Sequence, residues 1–234
     1  MTSYLKHLPK PLLDDIVAGR CVPIVGSGFS RNAAIPTGLN MPLWDDLGRK
    51  LSEAFTGYEY SGPLEAISAY SDEFSRVKLV ERLLELLPVD RAEPGDTHRS
   101  FCKLPFNLVV TTNIEFLLEK GYQQVNRYCR PLIDEEHLSI DSSGPEVKLL
   151  KFHGDLHHPK QLVMTEEDYD GFIERHPLLA TFLANLLITR TALFIGYSLD
   201  DPDFRQVWQI IGDRLGKLRR QPYTILLSPS PHVV

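Results

Sequence analysis

The chain has 234 residues, of which 43% are hydrophobic, enough to bury the core of one large domain and too apolar for global disorder. Its 25 Lys and Arg stand against 31 Asp and Glu, a formal net charge of −6, which argues against a protein that coats a nucleic acid backbone. Cys21, Cys102 and Cys129 are scattered, form no CxxC zinc pair or disulfide framework, and read as free thiols in a reducing cytoplasm. No basic stretch followed by an apolar run opens the chain. The most apolar helical segment, Leu178–Ile188, is interrupted by Thr181 and Asn185 and is too short to span a bilayer. A cytoplasmic protein with no membrane partner and no direct nucleic acid partner is expected.

In chain order, Cys21–Val25 is a short apolar run ending in Gly26-Ser27-Gly28, the pattern of a buried strand. Helical patterns cover Leu43–Phe55, Pro63–Tyr70 and Glu73–Leu87, the last stopped by Pro88. Phe106–Val110 predicts a second strand running into Thr111-Thr112-Asn113, then a helix over Ile114–Lys120 ended by Gly121. A hairpin is expected near Val125–Cys129. Val147–Phe152 predicts a strand running into His153-Gly154, and Thr165-Glu166-Glu167-Asp168 a helix-starting capping pattern. A helix over Pro177–Thr189 follows, then a strand over Thr191–Ile195 running into Gly196-Tyr197-Ser198. Asp201-Pro202 starts a helix to about Leu218, and Tyr223–Leu227 predicts the last strand.

Apolar strands alternating with helices predict an α/β fold, a Rossmann-like parallel sheet with helices on both faces. A small helical subdomain, at about 40–100, is inserted after the first strand and is expected to lie over the sheet. Residues 1–234 read as a single domain.

Ligands bind open α/β sheets outside the carboxyl ends of the strands. Four strands here end in small or polar groups that would converge on one crevice. The turn Gly26-Ser27-Gly28-Phe29-Ser30-Arg31 reads equally as a phosphate cradle or as a plain tight turn. Arg31 replaces the third glycine of GxGxxG, and there is no Gly-Lys-Ser/Thr of a P-loop. Asn113 reads alone as a helix cap, or as a cleft amide orienting a ribose hydroxyl or a water. His153 reads alone as a satisfied histidine, or as a general base titrating near neutral pH. Together, at the ends of two strands, they favour a site. His153-Gly154-Asp155-Leu156-His157-His158 raises metal binding, but the first strand ends in Gly-Ser-Gly rather than Asp-x-His, and no metal is expected. Ser27 lies in no GxSxG elbow, because Val25 stands two residues before it.

Gly26-Ser27-Gly28-Phe29-Ser30 resembles the Gly-Ala-Gly-x-Ser that opens the sirtuin fold, and Ile35-Pro36 the Gly-Ile-Pro that follows it. Thr111-Thr112-Asn113-Ile114-Glu115 resembles the sirtuin Thr-x-Asn-x-Asp, and Lys151-Phe152-His153-Gly154 the His-Gly motif. Ile195-Gly196-Tyr197-Ser198-Leu199 resembles the late Gly-x-Ser-Leu motif. The segments 165–169 and 196–204 are similar to bacterial sirtuin-like domains of antiphage systems such as Thoeris and the defence-associated sirtuins. The resemblance implies NAD as a substrate, hydrolysed to nicotinamide and ADP-ribose. It implies Asn113 and His153 as catalytic residues. It implies NAD contacts from Gly26, Ser27, Gly28, Ser30, Thr111, Glu115, Gly196 and Ser198. The four-cysteine zinc ribbon of protein deacetylases cannot be built from three scattered cysteines, and Glu115 stands where the motif has Asp. Deacylation, ADP-ribosyl transfer and non-catalytic NAD or ADP-ribose sensing are the rival readings. The family also implies control by a homo-oligomer, a defence-system partner or a fused sensor domain, with Leu178–Ile188 read as core or as interface. Ending at Val234, the chain is expected to be a fragment of a longer protein.

Overall fold

The computed structural model describes residues 4–140, 144–197, 209 and 220–225. Six strands, β1 (Cys21–Val25), β2 (Leu108–Thr111), β3 (Cys129–Leu132), β4 (Val147–Lys151), β5 (Thr191–Ile195) and β6 (Tyr223–Ile225), form one sheet in the order β3-β4-β2-β1-β5-β6. All pairings are parallel. The α/β class expected from the sequence is borne out.

The strands are apolar on both faces because both faces are covered. Val22, Ile24, Val110, Leu150 and Phe194 point into one core. The alternate residues Cys21, Val25, Val109, Leu149 and Leu193 point into the other. This is the period-two alternation of a strand with two buried sides. On the first face pack α10 (Phe172–Arg175) and α11 (Pro177–Thr189), through Phe172, Leu179, Leu183 and Leu187. On the second pack α1 (Lys10–Val17), α6 (Asp96–Cys102) and α7 (Leu117–Gln124), through Leu12, Phe101, Leu118 and Tyr122.

A third core belongs to the stretch after β1 and the short α2 (Ser27–Ser30). Here α3 (Trp44–Ser52), α4 (Pro63–Phe74) and α5 (Arg76–Leu86) bury Leu47, Leu51, Ile67, Leu79 and Leu83. Their cluster reaches Ile114, Leu156, Leu162 and Met164, in the loops that leave β2 and β4, so these helices cap the carboxyl edge of the sheet. The chain breaks between α4 and α5 at Ser75, whose φ of 89° is non-helical and whose Oγ accepts from Lys78 N–H. That cap ends α4 after Phe74 rather than after Tyr70, and starts α5 at Arg76 rather than Glu73.

Two local expectations are corrected. The segment at 125–129 is not a hairpin, because β3 pairs parallel with β4, Cys129 opposite Val147. Residues 133–146, with the single turn α8 (Glu136–Ser139), are long enough for the crossover that parallel pairing requires. Gly121 does not end its helix, because α7 starts later and runs through it to Gln124. The glycine gives space rather than a stop: a Cβ there would lie 2.9 Å from Cys102 Sγ on α6. The capping pattern at 165–168 is present and starts α9 (Glu166–Asp170). The helix expected from Asp201 lies outside the described residues except at 209, which is helical, and residues 226 and 227 of the last expected strand also lie outside them.

On α11, Leu183 has no exposed surface, whereas Leu178 is 57% exposed. Leu183→Ala should cost about 2–5 kcal/mol and Leu178→Ala no more than about 0.5 kcal/mol in urea denaturation. Equal losses would contradict the assignment of this helix face to the core.

Candidate functional site

Four strand ends meet at the carboxyl edge of the sheet. β1 runs into Gly26, and Gly26 N–H donates to Ile195 O at the end of β5. Gly28 N–H donates to Gly196 O at 2.8 Å. A Cβ on Gly28 would lie 2.8 Å from that oxygen, and one on Gly196, whose φ is +60°, would lie 2.3 Å from Phe29 N. Two turns therefore touch backbone to backbone, which only glycine permits at this distance and at this dihedral.

β2 runs into the segment 112–116. Thr111 Oγ1 donates to Val25 O and accepts from Asn113 N–H, tying the end of β2 to the end of β1. Asn113 is no helix cap, because the helix starts at Leu117. Its Nδ2 donates to Gly26 O (3.2 Å), Ser30 Oγ (2.9 Å) and Glu115 Oε1 (3.1 Å). Ser30 Oγ donates to Glu115 Oε1 at 2.5 Å, and Glu115 Oε2 accepts from Leu117 N–H at 2.6 Å.

β4 runs into His153, whose ring stands perpendicular to that of Tyr169 at 5.3 Å. Just before it, Lys151 has no exposed surface. Its Nζ donates to Glu115 O (2.7 Å) and Glu119 Oε1 (2.6 Å), with Asp155 Oδ2 at 3.6 Å and the Phe116 ring beneath. Burial raises the pKa of Glu119 against the opposing pull of Lys151. Asp155 accepts from the amides of His157 and His158 and contacts His158 Nδ1, so it braces its own loop. Among the described residues no three His, Cys, Asp or Glu side chains are grouped to hold a metal. Cys21 and Cys102 are buried, which pushes both thiols up to about 12, and Cys129 is half-buried.

These ends face the capping helices across a cleft of about 850 Å³, its open mouth included. The polar side is Gly26, Ser27, Ser30, Asn113, Glu115 and His153, with Thr112 beside them. The rest of the lining is apolar: Met41, Pro42, Trp44, Leu47 and Leu87 from the capping region, and Ile114 and Met164 from the segments after β2 and β4. Tyr169 and Tyr197 complete it. Of the residues expected from the sequence, Asn113 and His153 are therefore brought together, with Gly26, Ser27, Ser30 and Glu115. Gly28, Thr111 and Gly196 hold the strand ends to one another and do not line the cleft. Ser198 lies outside the described residues. Sequence reasoning missed Trp44, Met41, Met164 and Tyr169. Their signal, apolar or aromatic residues in the inserted helices or in the segment after β4, is the same as that of core.

A model of the SIR2-like domain matches residues 107–233, more than half of the chain. The chain belongs to the SIR2-like family. Its relatives include the NAD(+) hydrolase ThsA of Acinetobacter baumannii (strain 532279), 29% identical over 227 residues, covering 94% of this chain and 46% of that protein. The NAD(+) hydrolase ThsA of Cytobacillus dafuensis is 30% identical over 132 residues, covering 56% of this chain and 27% of that protein. Defense-associated sirtuin 2 of Bacillus subtilis is 25% identical over 227 residues, covering 91% of this chain and 21% of that protein. This SIR2-like chain spans less than half the length of these relatives. No described helix is long and apolar enough to cross a membrane.

The roof of the SIR2-like cleft is tied down by an ion pair. Arg76, at the start of α5, donates to Asp168 Oδ2 (2.7 Å) and to Leu162 O (2.6 Å). Burial works against the Asp168 carboxylate, but the Met164 and Thr165 amides and the Arg76 guanidinium hold its pKa below the ordinary value. A lowered carboxyl pKa stabilises the fold above the unfolded value of about 3.9. That contribution is lost as the pH falls through the lower, folded value. Asp168→Asn should therefore flatten the acid limb of a stability-versus-pH curve below about pH 4; an unchanged limb would refute the assignment. Lys151→Ala should cost about 3–5 kcal/mol in chemical denaturation, because it strands buried carboxylates, and Lys151→Ala with Glu119→Ala should cost less than the sum of the two single changes.

Proposed function

We propose that this chain is an NAD+ hydrolase acting in bacterial antiphage defence, which cleaves the nicotinamide–ribose bond to give nicotinamide and ADP-ribose. One observation carries the reading. Asn113 and His153, 8% and 4% exposed, follow the adjacent paired strands β2 and β4 and line one cleft. The family membership and the names of the relatives support it.

In this reading NAD+ lies across the strand ends. Gly26 and Ser27 face its phosphates, and Ser30 and Glu115 line the nicotinamide end. Gly28, Thr111 and Gly196 act by holding the turns in place. Nicotinamide departs neutral from a pyridinium, taking the electron pair of the broken bond, so the protein has only to orient the ribose and admit one water. The water oxygen bonds to C1′ as oxocarbenium character develops there. His153 takes the proton, and Asn113 positions the water. The apolar roof excludes other water from the site. Residues 1–234 act as one sirtuin-like domain with the helices at about 40–100 as its subdomain. The protein works in the cytoplasm, and a homo-oligomer, a defence partner or a fused sensor domain controls it.

Incubation with NAD+, with products resolved by chromatography, tests the reading. His153→Ala and Asn113→Ala should each slow NAD+ loss by about 100- to 10,000-fold while the circular dichroism spectrum is kept. Hydrolysis by His153→Ala at the wild-type rate would remove His153 from the reaction.

A further inference from the structure

Glu115 occupies the position where the family motif carries Asp, and the structure commits its carboxylate inward. Oε1 accepts from Ser30 Oγ and Asn113 Nδ2, and Oε2 accepts from Leu117 N–H. Glu115 and Ser30 are 6% and 3% exposed, so these bonds form out of bulk water and a misplaced donor there is costly.

The consequence falls on Asn113. An amide can be turned two ways, and its function depends on which atom faces the ligand. Gly26 O and Glu115 Oε1 can only accept, and both lie against the same end of the Asn113 side chain. That end must be Nδ2. With both of its hydrogens shared among Gly26 O, Ser30 Oγ and Glu115 Oε1, the atom left for the cleft is the acceptor Oδ1. An acceptor in that place orients a hydroxyl or a water by receiving its hydrogen, which leaves an oxygen lone pair for the reacting carbon.

We propose that Glu115 is a positioning residue which, with Ser30, fixes the Asn113 amide with Oδ1 facing the cleft. This rests on the hydrolase reading for its kinetic consequence, but not for the amide orientation itself. A carboxylate is the only side chain of this length that satisfies all three donors. Gln has one oxygen. Turned to Ser30 and Asn113, its NH2 meets Leu117 N–H; turned the other way, it meets Asn113 Nδ2. Asp keeps the local bond to the amide two residues on, but is a methylene short of Ser30 and Asn113. Glu115→Asp therefore separates the start of α7 from the hold on Asn113.

The test uses the full chain labelled with 15N-asparagine. The side-chain NH2 resonances absent from Asn113→Ala identify Asn113. In the wild type this pair should exchange with solvent at least about tenfold more slowly than an exposed amide, the protection of roughly one net hydrogen bond. In Glu115→Asp and Glu115→Gln the pair should shift and lose that protection. Where NAD+ hydrolysis is measured, both variants should lower kcat by roughly 10- to 100-fold, the cost of a small misplacement. Binding of ADP-ribose by calorimetry should stay within about threefold, which a collapsed site would not allow. An Asn113 amide that exchanges fast in the wild type, or is unmoved in both variants, overturns the proposal whether or not the chain hydrolyses NAD+. So does a wild-type kcat in Glu115→Asp. Loss of NAD+ hydrolysis from the wild type itself, with the protected amide present, would sink the hydrolase reading and leave the orientation standing.

Discussion

The ammonium group of Lys151 lies inside the fold with no exposed surface, and it must be neutralised there. Its partners come from separate pieces of chain: the Glu115 carbonyl after β2, Glu119 on α7 and Asp155 after β4. A buried charge tolerates little movement of the groups that pair with it. The segment carrying Asn113 and Glu115 is thereby held to the segment carrying His153. The cation serves as the joint between the sheet and the site rather than as part of the site.

Around that joint the strand ends are fixed by backbone contacts. Thr111 binds the end of β2 to β1, and Gly28 binds the turn after β1 to Gly196 after β5. The roof is held separately, by Arg76 on Asp168 and Leu162. The cleft between carries its polar groups on the sheet side and is apolar on the helix side. In the proposed reading, that contrast serves a substrate with phosphates and hydroxyls at one place and a flat ring at another.

The sheet was legible because a strand buried on both faces reads as an unbroken apolar run. Thr191–Ile195 and Cys21–Val25 have the bounds expected, and Pro177–Thr189 likewise, closed by Pro at one end and a strand at the other. What misled was punctuation. Gly121 reads as a stop and is a space, because the reason for it, Cys102 Sγ on α6, is distant in sequence. Val125–Cys129 reads as a hairpin because strand direction is not written in a local pattern. Trp44, Met41 and Met164 carried no signal of a site because an apolar residue lining a cleft and one filling a core have the same composition.

By itself the sequence determined the parallel sheet, the polar character of its strand ends and the identity of Asn113 and His153 as the residues to inspect. Those depend on local pattern and on the rule that ligands gather at the carboxyl edge. Only the tertiary structure decided which of the motif residues line the cleft and which hold it together. Gly28, Thr111 and Gly196 spend their groups on other strand ends, and Glu115 turns its carboxylate to Ser30, Asn113 and Leu117. The reason is physical: a hydrogen-bonding group is committed by whichever partner lies within about 3 Å, and for Ser30 and Glu115 that partner is 85 residues away in the chain.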